Sequence, residues 1–167
     1  MSSGAIGENY VLCELMRRGL CGLTSPDPTN ENWDVVVFDE ATKVGVTLQV
    51  KASRWPCAES STKATLTGKF SGNYDFLVIV VINYPSASSY LVYVVERAQV
   101  IDSGRNKGGI PTKRGEKFEF KNRSIPFSTF GKNKPFFDVE FLDKWDRVKD
   151  LLTLRSSGAA QKAAQPA

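Results

Sequence analysis

The sequence predicts a mixed α/β (α+β) fold, a central mixed β-sheet flanked by helices, with further strands and a helix towards the C-terminus. Three observations carry that reading. Residues 5–20 hold no proline and place apolar side chains at helical spacing. Residues 33–39 and 45–53 are two β-rich runs parted by a short polar link, the pattern of a hairpin. Residues 75–83 form a continuous apolar run of strand length, as expected of a strand buried on both faces.

The first helix ends near Gly19, a stop signal. On a helical wheel Ile6, Leu12, Cys13, Leu15, Met16 and Leu20 share one broad arc, and Gly7, Tyr10, Glu14, Arg17 and Arg18 lie opposite. Glu8 falls on the apolar arc beside Val11, Leu12 and Leu15. A carboxylate there carries a desolvation cost unless it is paired, protonated or bound to a cation. The alternative is that Glu8 simply meets the positive end of the helix dipole. Residues 24–32, with Pro26 and Pro28, read as a loop. After the hairpin, residues 60–72 are polar and are expected to hold a short helix. Residues 90–96 are a second strand joined to 75–83 by a turn-rich link. Residues 104–114 read as a flexible basic loop, and Phe118, Phe120, Ile125 and Phe127 mark short strand-like pieces. Residues 139–154 form a closing helix with Phe141, Leu142, Trp145, Val148, Leu151 and Leu152 available for packing. One domain over residues 1–155 and a disordered, Ala/Gln/Ser-rich tail over 156–167 are expected.

Composition narrows the chemistry. The 167 residues contain no histidine, which removes Ser-His-Asp and Cys-His nucleophile systems and histidine zinc sites together. Cys13, Cys21 and Cys57 form no C-x-x-C pair, so neither a disulfide framework nor a thiolate zinc site is indicated. The longest apolar run, residues 76–82, is too short to span a bilayer, and the N-terminus lacks the pattern of a signal peptide, so a cytoplasmic location without membrane attachment is expected. The net charge is +4. The excess gathers in residues 103–134, where Arg105, Lys107, Lys113 and Arg114 lead a group of bases opposed only by Glu116 and Glu119. Such a segment suits a polyanion, or it is a solvated charged face without a partner.

Strand alternation puts Gln49 and Lys51 on one face of the run from Gly45, with Val46, Leu48, Val50 and Ala52 on the other. Asp34 is the acidic residue that opens the apolar run Val35–Val36–Val37–Phe38. If Phe38 pairs with Gly45, Asp34 lies across from Gln49 with Cβ atoms about 5.5 Å apart. Glu8 could reach the pair from a helix packed on the sheet. Asp34, Glu8, the Gln49 amide oxygen and the Val50 main-chain carbonyl are oxygen donors of the kind that hard cations such as magnesium accept. Lys51 would orient an attacking water or stabilise charge on phosphorus. The alternative reading makes Asp34 a strand-end cap, with Gln49 and Lys51 on a solvated face.

Gly7–Glu8 on a helix, Asp34 opening a strand, Gln49–Val50–Lys51 ending the next, and a buried strand opening with Asp75–Phe76 together resemble the PD-(D/E)XK nuclease superfamily over residues 5–82. That superfamily has a restriction-endonuclease-like core of helix, three strands, helix and strand. The resemblance implies that Asp34 and Gln49 are the metal-binding pair, Lys51 the catalytic lysine and Glu8 the helix-borne acid. The chain departs from the pattern at Trp33, where the family has Pro, and at Gln49, where it commonly has Asp or Glu. Members with Gln at that place include the homing endonuclease type.

The expectation is therefore a Mg2+- or Mn2+-dependent endonuclease that hydrolyses DNA phosphodiester bonds, acting as a homo-oligomer if both strands are cut. The alternatives are a nucleic-acid-binding module of the same fold that has lost turnover, and an interaction protein whose basic loop meets an acidic partner.

Overall fold

Helix α1 (Ser3–Arg17) opens the chain in a computed structural model that describes residues 2–27, 32–54, 63–66, 72–84, 89–100, 125–128 and 142–163. The Ser2 hydroxyl caps it, accepting the Ala5 N–H at 3.3 Å. Gly19, at φ +71°, ends it. The Gly19 N–H donates to the Met16 carbonyl and the Leu20 N–H to the Leu15 carbonyl, both at 3.0 Å, a Schellman closure that requires the left-handed glycine.

Of the expected arc of α1, Leu15 is buried and Ile6, Leu12 and Leu20 pack against the core, but the buried stripe is shifted. Gly7, Val11, Glu14 and Leu15 face the core, whereas Cys13 is exposed and Met16 is 72% exposed. The helix lies so close to the sheet that a Cβ on Gly7 would sit 2.6 Å from the Ala52 Cβ. Hydrophobicity alone ranks Gly7 and Glu14 as outward. Close backbone approach recruits the first, and Arg17 and Arg18 make burial of the second tolerable by pairing with its carboxylate.

Strands β1 (Cys21–Thr24), β2 (Val35–Phe38), β3 (Gly45–Arg54), β5 (Phe76–Tyr84) and β6 (Ser89–Glu96) form a five-stranded mixed sheet in the order β1-β2-β3-β5-β6. Strand β1 was not expected. It is mostly exposed and is held as an edge strand by antiparallel pairing with β2. The β2–β3 hairpin has the expected register, Phe38 against Gly45. Strand β5 runs parallel to β3 and antiparallel to β6, and its Phe76, Leu77, Val78, Ile79, Val80, Val81 and Ile82 are all buried, as the unbroken apolar run predicts.

Residues 63–66, inside the segment expected to be a short helix, are strand β4 (Lys63–Leu66), which pairs antiparallel with β7 (Ile125–Ser128) in a separate two-stranded sheet. The partner lies some sixty residues away in sequence, so local pattern could not reveal the pairing. Phe118, Phe120 and Phe141 lie outside the described residues.

The closing helix, α2 (Trp145–Ala163), starts later than expected because Leu142 forms a β-bridge with Tyr93 instead. It also runs through Ser156 to Ala163, where a disordered tail was expected, so the division at 155/156 falls inside a helix. Ala159, Ala160, Gln161, Lys162 and Ala163 are strong helix formers, and a compositional reading of the tail undervalued them. Trp145, Val148 and Leu152 pack with Val11 and Leu15 of α1 against Val46, Leu48 and Val50 of β3 and Val78 and Val80 of β5. Both helices therefore cover the same sheet face. Among the described residues no helix is long and apolar enough to cross a membrane.

Candidate active site

The site forms where β2 ends and β3 continues past it. Asp34 still follows the ladder: its N–H donates to the Leu48 carbonyl at 2.9 Å, and its carbonyl accepts the Ser25 N–H at 2.8 Å. One residue on, the carboxylate takes over from the main chain. Asp34 Oδ2 accepts the Val50 N–H at 2.6 Å and a hydrogen bond from Gln49 Nε2. A strand residue's N–H and C=O point to the same side, so the Val50 carbonyl faces the same open edge as the Asp34 carboxylate. Among the described residues Asp34 Oδ1 accepts no hydrogen bond.

The electrostatics couple three ionisable groups. Burial pushes the Asp34 carboxyl above the usual carboxylate range, against the pull of the Val50 N–H, Lys51 and Gln49. Burial, then the charge of Asp34, raises Glu8, while Lys51 opposes the shift. Burial lowers Lys51, with Asp34 and Glu8 acting against it. No carboxylate lies within ion-pairing distance of Lys51 among the described residues. Gln49 is a buried polar side chain, 3% exposed. Asp34, Gln49 and Val50 thus meet through hydrogen bonds at the open edge of β3, and Glu8 and Lys51 are coupled to Asp34 electrostatically.

Asp34 is also the strand-end cap of the alternative reading, since it satisfies an N–H that β2 no longer reaches. The solvated face in that reading does not hold, because Gln49 is buried.

Among the described residues no three His, Cys, Asp or Glu side chains come together as a metal cage. The donor set is two carboxylates completed by amide and main-chain oxygens. It fits a hard cation, because a half-buried carboxylate such as Glu8, whose ionisation the charge of Asp34 disfavours, is relieved by a positive charge placed between the two. The Gln49 amide is turned with its nitrogen towards Asp34, so ligation through Oε1 would require an amide flip. Arg105, Lys107, Lys113, Arg114 and Cys57 lie outside the described residues.

Two charged clusters escaped the sequence reading. Arg155 of α2 binds Asp75 with both terminal nitrogens, at 2.8 Å to Oδ2 and 2.6 Å to Oδ1, and also donates to the Gly45 carbonyl at 2.8 Å. Asp75 Oδ2 further accepts the Thr47 N–H at 2.9 Å and the Thr47 hydroxyl at 3.1 Å. Burial works to raise Asp75, but Arg155 and Thr47 outweigh it and hold the carboxyl below its usual range. Beside this cluster is a polar pocket of about 490 Å³ that includes Trp33, Asn73 and Tyr74 in its wall. In the second cluster Arg18 bonds Glu14 and Asp143 and lies over the Trp145 ring at 5.4 Å, joining the C-terminal end of α1 to the start of α2. Neither a helical period nor the spacing of Asp34, Gln49 and Lys51 gives a sign of the Asp75–Arg155 and Arg18–Asp143 pairs, so distant in sequence.

No protein-family model and no curated protein sequence matches the chain. Among solved structures the fold is similar to that of a bacterial homing endonuclease, I-Ssp6803I, with a TM-score of 0.55 at 17% identity, over 98% of this chain and 96% of that one. At that identity the likeness is one of fold.

Proposed function

We propose that the chain is a PD-(D/E)XK-type, Mg2+- or Mn2+-dependent endonuclease that hydrolyses DNA phosphodiester bonds. The observation that carries this reading is the Asp34–Gln49 cross-strand pair with Lys51 beside it and Glu8 electrostatically coupled to both charged groups. The shared fold with a homing endonuclease supports it. Asp34 and Glu8 would hold the divalent ion with the Val50 carbonyl and the Gln49 amide oxygen. When bound, that ion polarises a phosphate oxygen and lowers the pKa of an attacking water. Lys51, which has no ion-pair partner among the described residues, would orient the water or donate to the charge that builds on the phosphoryl oxygens as the phosphorus–oxygen bond to the leaving group breaks. Arg105, Lys107, Lys113 and Arg114 would meet DNA phosphates, and a homo-oligomer follows if both strands are cut.

A second reading rests on one contact: Gln49 Nε2, a donor, faces Asp34. An amide locked in that orientation offers no oxygen to a cation, and the chain would then be a nucleic-acid-binding module without turnover. Supercoiled plasmid incubated with the protein, with and without Mg2+ or Mn2+, separates the two. For the nuclease, wild type nicks plasmid, Gln49→Glu keeps or strengthens metal affinity, and Lys51→Ala abolishes turnover in either background. An inert wild type with an active Gln49→Glu supports the binding module. If neither form cleaves and calorimetry detects no divalent binding, the site assignment fails.

A further inference from the structure

The polar pocket beside the Asp75–Arg155 cluster adjoins the candidate active site along β3 and at the start of β2. Thr47, in its wall, precedes Gln49 by two residues on the same side of β3, an interval of roughly 6.6–6.8 Å along the strand. Trp33, also in the wall, is the residue directly before Asp34. A strand of nucleic acid whose phosphate sits at Asp34 would therefore bring the neighbouring nucleotide to the pocket.

The chemistry of the wall selects what enters. Arg155 is the cation there, and Asp75 neutralises it through two hydrogen bonds. An anion such as phosphate consequently gains little from the site. A flat, neutral, hydrogen-bonding ring gains more. Trp33 supplies an aromatic surface, and the Asn73 amide, without a partner among the described residues, supplies a donor and an acceptor. Arg155 still has N–H groups beyond the three it spends on Gly45 and Asp75. At about 490 Å³ the pocket has room for a whole nucleoside, within the range of small-molecule sites. Tyr74, also in the wall, is largely buried, its phenol pushed up to about 12 by that burial, so it stays a neutral hydroxyl at any working pH.

We infer that this pocket receives an unstacked nucleobase from the nucleotide next to the scissile phosphate, with Trp33 as the stacking platform and Asn73 reading the base edge. The inference rests on the nuclease reading for its adjacency to a scissile phosphate, and it adds that the protein engages a base out of the helical stack. Bases in an intact duplex present only their edges, whereas stacking on a side chain requires a free face.

The test uses the full chain in EDTA, so that no cleavage occurs, and compares binding of a single-stranded octathymidylate with the same octamer carrying abasic sites throughout. Both probes carry the same phosphates. The expected result is tighter binding of the octathymidylate, quenching of the Trp33 contribution to fluorescence by that probe alone, and about tenfold or greater loss of the preference in Trp33→Ala. Asn73→Ala, at an exposed position that does not threaten folding, should reduce the preference without changing affinity for the abasic octamer. Equal binding of the two probes, or a preference untouched in both variants, overturns the inference. The plasmid assay fails separately: a wild type that nicks plasmid but ignores the base leaves the nuclease reading standing and removes this one. Base-dependent binding by a protein that never cleaves does the reverse, keeping the pocket as a base site and removing the nuclease.

Discussion

Replacing Gly7 by Ala tests whether the approach of α1 to β3 sets the geometry of the site. In an ordinary helix interior the change stabilises by about 1 kcal/mol. Here the new methyl would stand 2.6 Å from the Ala52 Cβ and 3.4 Å from a Val50 methyl, whereas carbon atoms rest at about 3.5–4.0 Å. The helix must retreat by roughly 1 Å, since Ala52 is a short side chain on a central strand and cannot swing away. Overpacking of this kind costs about 1–3 kcal/mol, and the upper part of that range applies. After the gain in helix propensity the net loss is about 1–2 kcal/mol. For a chain of this size that lowers Tm by roughly 2–8 °C. The same retreat carries Glu8 away from Asp34, and a displacement near 1 Å at a catalytic constellation costs about 100-fold in rate. Thermal unfolding by circular dichroism and the plasmid-nicking rate read the two effects. The double variant Gly7→Ala/Ala52→Gly, which removes the obstructing methyl, should recover most of both. A Gly7→Ala protein as stable as wild type or more so would refute the close packing, and the link from helix position to site with it.

Asp34→Asn should abolish divalent-dependent cleavage yet leave Tm unchanged or higher, because it removes a carboxylate whose ionisation burial already disfavours and keeps an oxygen for the Val50 N–H; a marked fall in Tm would show that the charge is structural. Neutralising Arg105, Lys107, Lys113 and Arg114 together should weaken DNA binding across unrelated sequences and flatten its dependence on salt; an unchanged slope would mean that these residues are a solvated face. Asp75 is held below its ordinary value of 3.8, so its contribution is fully present above that value and is lost as pH falls through the lower folded value. Chemical denaturation between about pH 5 and pH 2 should accordingly show a steeper loss in wild type than in Arg155→Met, and parallel acid limbs would deny the pair a role in stability.

What the sequence made legible was whatever a two-residue period encodes. Alternation over 45–53 put Gln49 and Lys51 on one face, and pairing Phe38 with Gly45 set Asp34 against Gln49, as the register has it. The unbroken run from Phe76 predicted a strand buried on both faces because parallel pairing to β3 and cover on each side demand it. The features that stayed hidden depend on contacts between distant segments. Strand β1 has an exposed pattern and exists through its pairing with β2. Strand β4 needs β7. Asp75 and Arg155 are 80 residues apart. Gly7 and Glu14 looked outward because hydrophobicity scores neither the absence of a side chain nor a carboxylate already spoken for by two arginines.

The hydrogen bonds show Asp34 as a strand-end cap, and the proposed ligand role is compatible with that same arrangement. A carboxylate that satisfies the Val50 N–H must lie in the plane of the sheet at the point where β2 gives out. In that place one oxygen is committed to the strand, and the other, bonded to nothing among the described residues, is directed away from it. The cap thereby fixes the carboxylate's orientation without using up its charge, which is the condition a metal ligand has to meet before the metal arrives. Gln49 completes the same logic from the other strand. Its amide donates to the carboxylate, and in the proposed metal site the same side chain, flipped, would present an oxygen to the cation. A glutamate at this position could not donate to Asp34 and would add a second repelling charge to a pocket that already raises the acids in it. On the proposed reading, Gln49 would keep the metal-free site stable, at the cost of being a weaker ligand when the site is filled.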